Sequence, residues 1–560
     1  MGKTVLPFAA ALVAALAGCM TPERAMRETD EAGTRLATEA MAAVSGATNE
    51  FAITRPAERL RLRLLAEPDL DADTRAALSP TNTPALPSTN TPAPASLTLS
   101  LADALRIGAE NDNGYQSKKE SIFLAALDLD LARHQFENTF AGILSGGADG
   151  TRTSSGGEST RETSLSASAK PSVSRKFKNG ANAMASFGVD IIKLLSGGHG
   201  RTLGLTGDFS ATVPLLRGAG RLVATEGLTQ AERDLIYAVY DFEGYRQSYA
   251  VEVASAYYGL LKTEQNLIAL RENGERLSAN YDRAKMLYDA GRLSQVELDQ
   301  TRQDLLSTGD KIVSAEKSRQ SALDAFAITL GLPVGVPLAL DMGELDALSA
   351  DMAAPQVEEA SAVALALTNR FGLVVSRMKI DDAERAVAIA RDGLRASLGL
   401  KVDAGWNSSK PSGGGRTEKN SAAAMLTSDL PWERTSERNA YRAAVIALDA
   451  GRRALEAEED STRQIIRDDI RALNSAWSSF EIQREALEVA QRRVRSTTLF
   501  QQAGRSSTRD LLESEAALLS ARNAVVAAVV DYRMAGLRLE RDMSALRISE
   551  SGLIESSSEP

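Results

Sequence analysis

Residues 222–290 contain no proline, and apolar residues return at helical spacing over all 69 positions. Leu228, Leu235, Phe242 and Tyr249 lie seven apart, as do Val253, Leu260 and Leu267, the period of a helix that packs along its length against another. A helix this long extends about 100 Å at ~1.5 Å per residue. That exceeds the interior of an ordinary globular domain, so the helix projects or lines something. A turn at Ala290-Gly291-Arg292-Leu293-Ser294 follows, and Leu298, Leu305 and Ile312 carry the same rhythm on toward Gly331. Two long helices folded on each other through a tip are therefore predicted.

The second half of the chain repeats this plan. Residues 104–111 (ALRIGAEN) match 362–369 (AVALALTN), Val213-Pro214-Leu215 matches Leu430-Pro431-Trp432, and the tip matches Ala503-Gly504-Arg505-Ser506-Ser507. Leu511, Leu518 and Val525 then repeat the returning helix. The offsets are 258, 217 and 213 residues, so the length difference falls almost wholly between the first helix and the proline. In that interval Gly, Ser and Thr dominate residues 142–168. Two alternating stretches follow: Phe187, Val189, Ile191, and then Leu203, Leu205, Gly207, Phe209, Ala211, Val213. A two-residue period marks strands with different environments on their two faces. Each half reads as helix, strand pair, long helix, tip and returning helix, with a larger strand or loop excursion in the first half. The leading helix is expected over residues 101–136, with Ser100 as N-cap and Asp103 three positions on.

The N-terminus sets the compartment. Lys3 precedes an apolar run over residues 5–17 that ends in Leu16-Ala17-Gly18-Cys19. A positive start, an apolar core and small residues at its end make a secretory signal. The last four residues resemble the lipobox of bacterial lipoproteins, which implies that Cys19, the only cysteine, is acylated (a palmitate-bearing lipid) and becomes the first mature residue. No disulfide is then possible despite the oxidising location. Met20, where an aspartate would signal inner-membrane retention, favours an outer-membrane address. Prolines 80, 84, 87, 92 and 94, with Thr and Asn between them, predict an extended linker. No later stretch reaches the roughly 18 apolar residues of a transmembrane helix, so any spanning part is β.

Two strand pairs make four strands per chain, too few to close a barrel, and an open edge in lipid leaves backbone groups unsatisfied. Closure needs several copies, and three would give twelve strands around a polar lumen. The expected fold is a mixed α/β membrane protein. Long antiparallel coiled-coil helices form a helical barrel, and four transmembrane strands per chain contribute to a trimeric 12-stranded β-barrel.

At this point the sequence resembles the TolC-like outer-membrane efflux proteins. The matching pieces are ALRIGAEN, VPLLRGAGR at 213–221, YDAGRLSQVELDQTRQDL at 288–305, GLP at 331–333, LFQQAGRSSTRDLLESEAALLSARN at 499–523 and LERDMSAL at 539–546. The ordered set spans about residues 98–550. The resemblance implies a homotrimeric channel that works with a periplasmic adaptor protein and an inner-membrane pump or ABC transporter, in efflux or type I secretion. It implies adaptor contact at the tips, through Gly291, Ser294, Gly504 and Ser507, where glycine permits a tight turn and close approach. It also implies a pore entrance near Glu297, Asp510, Glu513, Arg505 and Arg509. The family's arginine two residues after the second tip glycine is Ser506 here, a departure at the closing contacts.

The boundaries that follow are a signal peptide at 1–18, a lipidated extension with the linker at 19–97, the first repeat at 98–331, a connector at 332–356, the second repeat at 357–546 and a polar tail at 547–560. A net charge of −10 without a basic, aromatic-bearing stripe gives no attraction for nucleic acid. Two histidines and one cysteine leave little material for a metal or nucleophile site, and no phosphate loop is present. No enzyme and no cofactor beyond the covalent lipid is expected, and transport energy must come from a partner. The competing reading is a periplasmic coiled-coil lipoprotein without a pore, which requires the Gly- and Ser-rich segments to be loops.

Overall fold

The structure, a computed structural model, describes residues 20–46, 51–53, 97–155, 158–196, 201–350, 352–412, 414–430, 432–503, 505–549 and 552–554. The signal peptide, Cys19 and the proline-rich linker lie outside the described residues. In chain order the elements are α1 (Pro22–Ser45), β1 (Leu97–Leu99), α2 (Leu101–Asn111), α3 (Asn113–His134), β2 (Asn138–Ser155), β3 (Glu158–Lys176), β4 (Asn182–Ser196) and β5 (Arg201–Pro214). A single turn α4 (Arg221–Ala224) precedes α5 (Glu226–Asp289), α6 (Gln295–Thr329), β6 (Leu338–Leu340) and α7 (Gly343–Ala350). The second half comprises α8 (Glu359–Asn369), α9 (Phe371–Gly393), β7 (Ser397–Pro411), β8 (Thr417–Asp429), α10 (Thr435–Gln502) and α11 (Thr508–Asp542).

The long helices follow the proline-free heptads: α5 has 64 residues and α10 has 68. The returning helices α6 and α11 have 35 residues each, so the repeat is exact there. The leading helix is not continuous. It breaks at Asp112, whose ψ of 136° is extended, and its counterpart breaks at Arg370, ψ 118°. The cause at the first break is local. The Asp112 carboxylate accepts the Tyr115 amide at 2.7 Å, capping α3, and the buried Asn111 side chain donates to the Ile107 carbonyl at 2.8 Å.

The second departure is larger. Instead of four strands, one antiparallel sheet contains six, in the order β2-β3-β4-β5-β7-β8. The Gly-, Ser- and Thr-rich excursion of the first half is a full hairpin, β2 paired with β3 from Asn138↔Arg175 to Ser155↔Glu158. Low intrinsic strand propensity hid it, because glycine is depleted in strands and the segment has few of the β-branched and aromatic residues that favour them. Pro171 lies within β3 where pairing to β4 skips from Ala169↔Val189 to Ser172↔Ser186, as a residue with no N–H requires.

The chain forms two compact units. The first contains α1, residues 122–239 and 376–455, and with them the whole six-stranded sheet. There α1 lays Gly33 against Phe123, so closely that a Cβ would stand 2.5 Å from the ring. Arg385 ties α9 to α5 through Glu226 at 3.2 Å, and the Tyr237 hydroxyl donates to Asp382 at 2.5 Å.

The second unit contains α2, residues 240–375 and 456–560, and the short parallel pair β1–β6. Its core is helical seams: Leu267, Leu270 and Ala315 in one cluster, and Ala366, Ile466, Ile470, Leu473 and Leu539 in another. The heptad leucines therefore do pack helix on helix, which drives the pairing of α5, α6, α10 and α11. In the same unit Arg246 donates to the Ile548 and Ser549 carbonyls at 2.9 and 2.6 Å, holding the chain beyond α11.

Candidate functional site

The sheet carries the first candidate. Its registers place β2 residues Phe140 and Leu144, β3 residues Leu165, Ala167, Ala169 and Val173, and β4 residues Ala185, Phe187, Val189 and Ile191 on one face. The same face continues through Leu203, Leu205, Phe209, Ala211 and Val213 of β5, Leu400, Val402, Ala404 and Trp406 of β7, and Ala422, Ala424 and Leu426 of β8. The opposite face presents Ser166, Ser168, Ser172, Ser186, Thr206, Ser210, Thr212, Asn407 and Ser421, with Ile143, Met184, Ile192 and Met425 among them. Two ion pairs lie on it, Lys170–Asp208 and Lys401–Asp403, both at 3.2 Å. Lys170 reaches Asp208 across Gly188, where a Cβ would come within 2.2 Å of the Thr206 hydroxyl oxygen.

The apolar face is uncovered. Phe140 is 80% exposed, Leu426 63% and Phe209 44%. At the end of the sheet where the chain passes into helices, Leu215, Leu216, Leu430 and a fully exposed Trp432 stand in solvent. Aromatic and aliphatic groups collected at a sheet end are what a membrane interface takes up. Among the described residues no helix is long and apolar enough to cross a membrane.

The two tips form the second candidate, and they are built alike. After α5 the Arg292 amide donates to the Leu287 carbonyl at 2.8 Å, and after α10 the Arg505 amide donates to Phe500 at the same distance. Gly291 holds φ +71° with open space around its α-carbon, which explains the glycine by conformation alone. Gly504 lies outside the described residues. Ser294 caps α6 and Ser507 caps α11, each in a reciprocal box with Glu297 or Asp510 three residues on. Ser294, Ser507, Arg505, Arg509 and Asp510 are exposed. The Asp510 carboxyl is held below its ordinary range by the Ser507 hydroxyl and amide and by the Ser506 hydroxyl. Ser506, standing where the resembling family has an arginine, thus serves the cap. Glu513 pairs with Arg493 of α10 at 3.1 Å.

The sheet has one apolar and one polar face with open edges, and it is joined in sequence to paired helices that end in matched tips. A family model for the outer membrane efflux proteins matches residues 206–332 and 362–542, more than half of the chain. The chain belongs to the outer membrane efflux protein family. Solved structures of similar fold include CusC, at 13% identity with a TM-score of 0.58, covering 83% of this chain and 99% of that one. The Campylobacter jejuni CmeC outer membrane channel matches at 16% identity and a TM-score of 0.56, covering 85% and 96%. The open state of the Neisseria gonorrhoeae MtrE outer membrane channel matches at 14% and 0.55, covering 79% and 88%. No match is found among curated protein sequences.

The outer membrane efflux proteins are a channel family rather than an enzyme family. In this member the described residues hold no cluster of three or more His, Cys, Asp or Glu able to bind a metal ion. One titratable pair stands out in the helical unit. Asp469 of α10 is pushed up to about 6 by burial and by the neighbouring Asp542 carboxylate, and its Oδ2 is buried without a hydrogen-bond partner. The heptad pattern gave no sign of it, because the partner lies 73 residues away in sequence.

Proposed function

We propose that this chain is the outer-membrane exit duct of a tripartite efflux or type I secretion system, passively conducting substrates delivered by an inner-membrane pump through a periplasmic adaptor. Copies of the chain, three on this reading, close their sheets into one barrel with the apolar face toward lipid and the Ser/Thr face toward a wet lumen. The paired helices continue the duct in the periplasm, and the tips at Gly291, Ser294, Gly504 and Ser507 receive the adaptor. A lipid on Cys19 adds a second anchor. The observation that carries this reading is the six-stranded sheet itself. Its apolar face and its two unpaired edges are stable in lipid only when several copies close it. The pore-free lipoprotein alternative needs the Gly- and Ser-rich residues 142–168 to be loops, whereas residues 142–155 and 158–168 lie in strands.

Purified protein in planar lipid bilayers should carry ion current in discrete steps. Three copies of Asp510 around one axis should favour cations, more so than Glu513, whose charge Arg493 already offsets. The reversal potential under asymmetric salt should therefore shift toward zero in Asp510→Ala. Membrane binding that depends wholly on Cys19, with no current, would favour the pore-free alternative.

A further inference from the structure

The β2–β3 hairpin is the feature that neither the family match nor the proposed function accounts for. It precedes residue 206, where the family match begins, and it makes the first half of the chain contribute four strands where the second contributes two. Resting on the reading of a barrel closed by three copies, we infer that this hairpin is wall. The barrel of this protein then has eighteen strands, and β2 of one copy pairs with β8 of the next.

Four observations carry this. First, the hairpin is hydrogen-bonded into the sheet, β3 running along β4 from Lys176↔Asn182 to beyond Leu165↔Lys193. Second, it continues the same two faces. Phe140, Leu144, Leu165 and Val173 extend the apolar face, while Ser166, Ser168, Ser172 and Ser174 extend the polar one. A hairpin folded out into water or down into the lumen has no reason to keep one side apolar.

Third, the new edge is unprotected. Soluble edge strands are blunted by charge or proline, yet residues 138–148 of β2 contain neither. On the other edge, β8 is exposed along its whole length, and residues 420–428 are likewise without charge or proline. These runs match the roughly 9–11 residues that a tilted strand needs to cross the hydrocarbon.

Fourth, parity permits closure. Six is even, so β2 and β8 run in opposite directions. The start of β2 and the finish of β8 both lie at the end of the sheet where the helices attach, as Asn138↔Arg175 and Ser397↔Asp429 show. A second copy of this chain therefore offers β2 the antiparallel partner it lacks.

The consequence is size. With strands about 4.8 Å apart and tilted about 40°, twelve strands enclose a backbone cylinder about 24 Å across and eighteen one about 36 Å across. The lumen at the level of the membrane is then wide enough that selection by size falls to the helical part of the duct. Its Ser/Thr lining carries the ion pairs Lys170–Asp208 and Lys401–Asp403 together with Asp149, Asp190 and Lys419, a hydroxyl-rich surface with charges of both signs that suits bulky hydrated cargo.

Single-particle imaging of the full-length protein in detergent or nanodiscs tests this directly by counting strands in the membrane-level cross-section. Eighteen strands in a three-fold ring, with β2 against the neighbouring β8, is the expected result. A three-fold ring of twelve strands with residues 138–176 outside the wall would overturn the inference and leave the channel reading intact. Six strands per copy in a ring of another copy number would support the wall role and contradict the three-copy assembly. A water-soluble monomer would overturn both.

Discussion

At the scale of single residues, two glycines and a serine show how the repeat is held. Gly331 ends α6 with φ +69°, and a Cβ there would lie 2.4 Å from the Asn111 carbonyl oxygen, at the break between α2 and α3. Gly331→Ala combines left-handed strain with a backbone clash and should cost about 2–4 kcal/mol, read as a lower midpoint in thermal unfolding. The equivalent position after α11 is Ser544, held at φ +51° without glycine's freedom. Ser544→Gly should therefore stabilise, by no more than about 1 kcal/mol because glycine also loosens the unfolded chain. Gly291, by contrast, was legible from the sequence, since a glycine after a long heptad run marks a helix end. The spacings Ser294-x-x-Glu297 and Ser507-x-x-Asp510 carry the same capping signal as Ser100 and Asp103, and the structure forms both reciprocal boxes. Because Asp510 is depressed, its contribution is present above the unfolded carboxyl range and is lost as pH falls through the folded value. Amide exchange at residues 508–511 should accelerate on acidification below about pH 4, and Asp510→Ala should show the same fraying at neutral pH.

At the scale of elements, the long helices were readable and a third of the sheet, two strands of six, was not. Heptads of Leu and Val survive in any context, so α5, α6, α10 and α11 followed from spacing. The breaks at Asp112 and Arg370 leave the apolar period unbroken and so left no trace. The hairpin β2–β3 was hidden because four glycines (142, 146, 147 and 150) dilute its first strand, although Ser164-Leu165-Ser166-Ala167-Ser168-Ala169 alternates strictly and could have revealed the second. Between α10 and α11, Asp469 is raised, so it favours the neutral form in the fold. Its contribution to stability is present at low pH and is lost as pH rises through about 6. Asp469→Asn should thus melt higher than the parent at pH 8, by about 1 kcal/mol after allowing for solvent screening. At pH 4 it should show no gain. A gain of the same size at both pH values would mean that the buried oxygen, and not its ionisation, is what costs stability.

At the scale of the whole molecule, the sequence and the fold agree on membership in the outer membrane efflux proteins, while the sheet enlarges what the repeat alone predicted. A lone copy of this chain exposes Phe140, Phe209 and Leu426 on one face and leaves β2 and β8 unpaired, a surface that water does not tolerate as a monomer. Self-assembly in lipid is therefore the central claim. Its most direct test is the mass of the purified protein with the detergent contribution subtracted, measured by sedimentation or light scattering. A single species at three times the mass of the chain is the predicted result, and a well-folded monomer stable without detergent would contradict it.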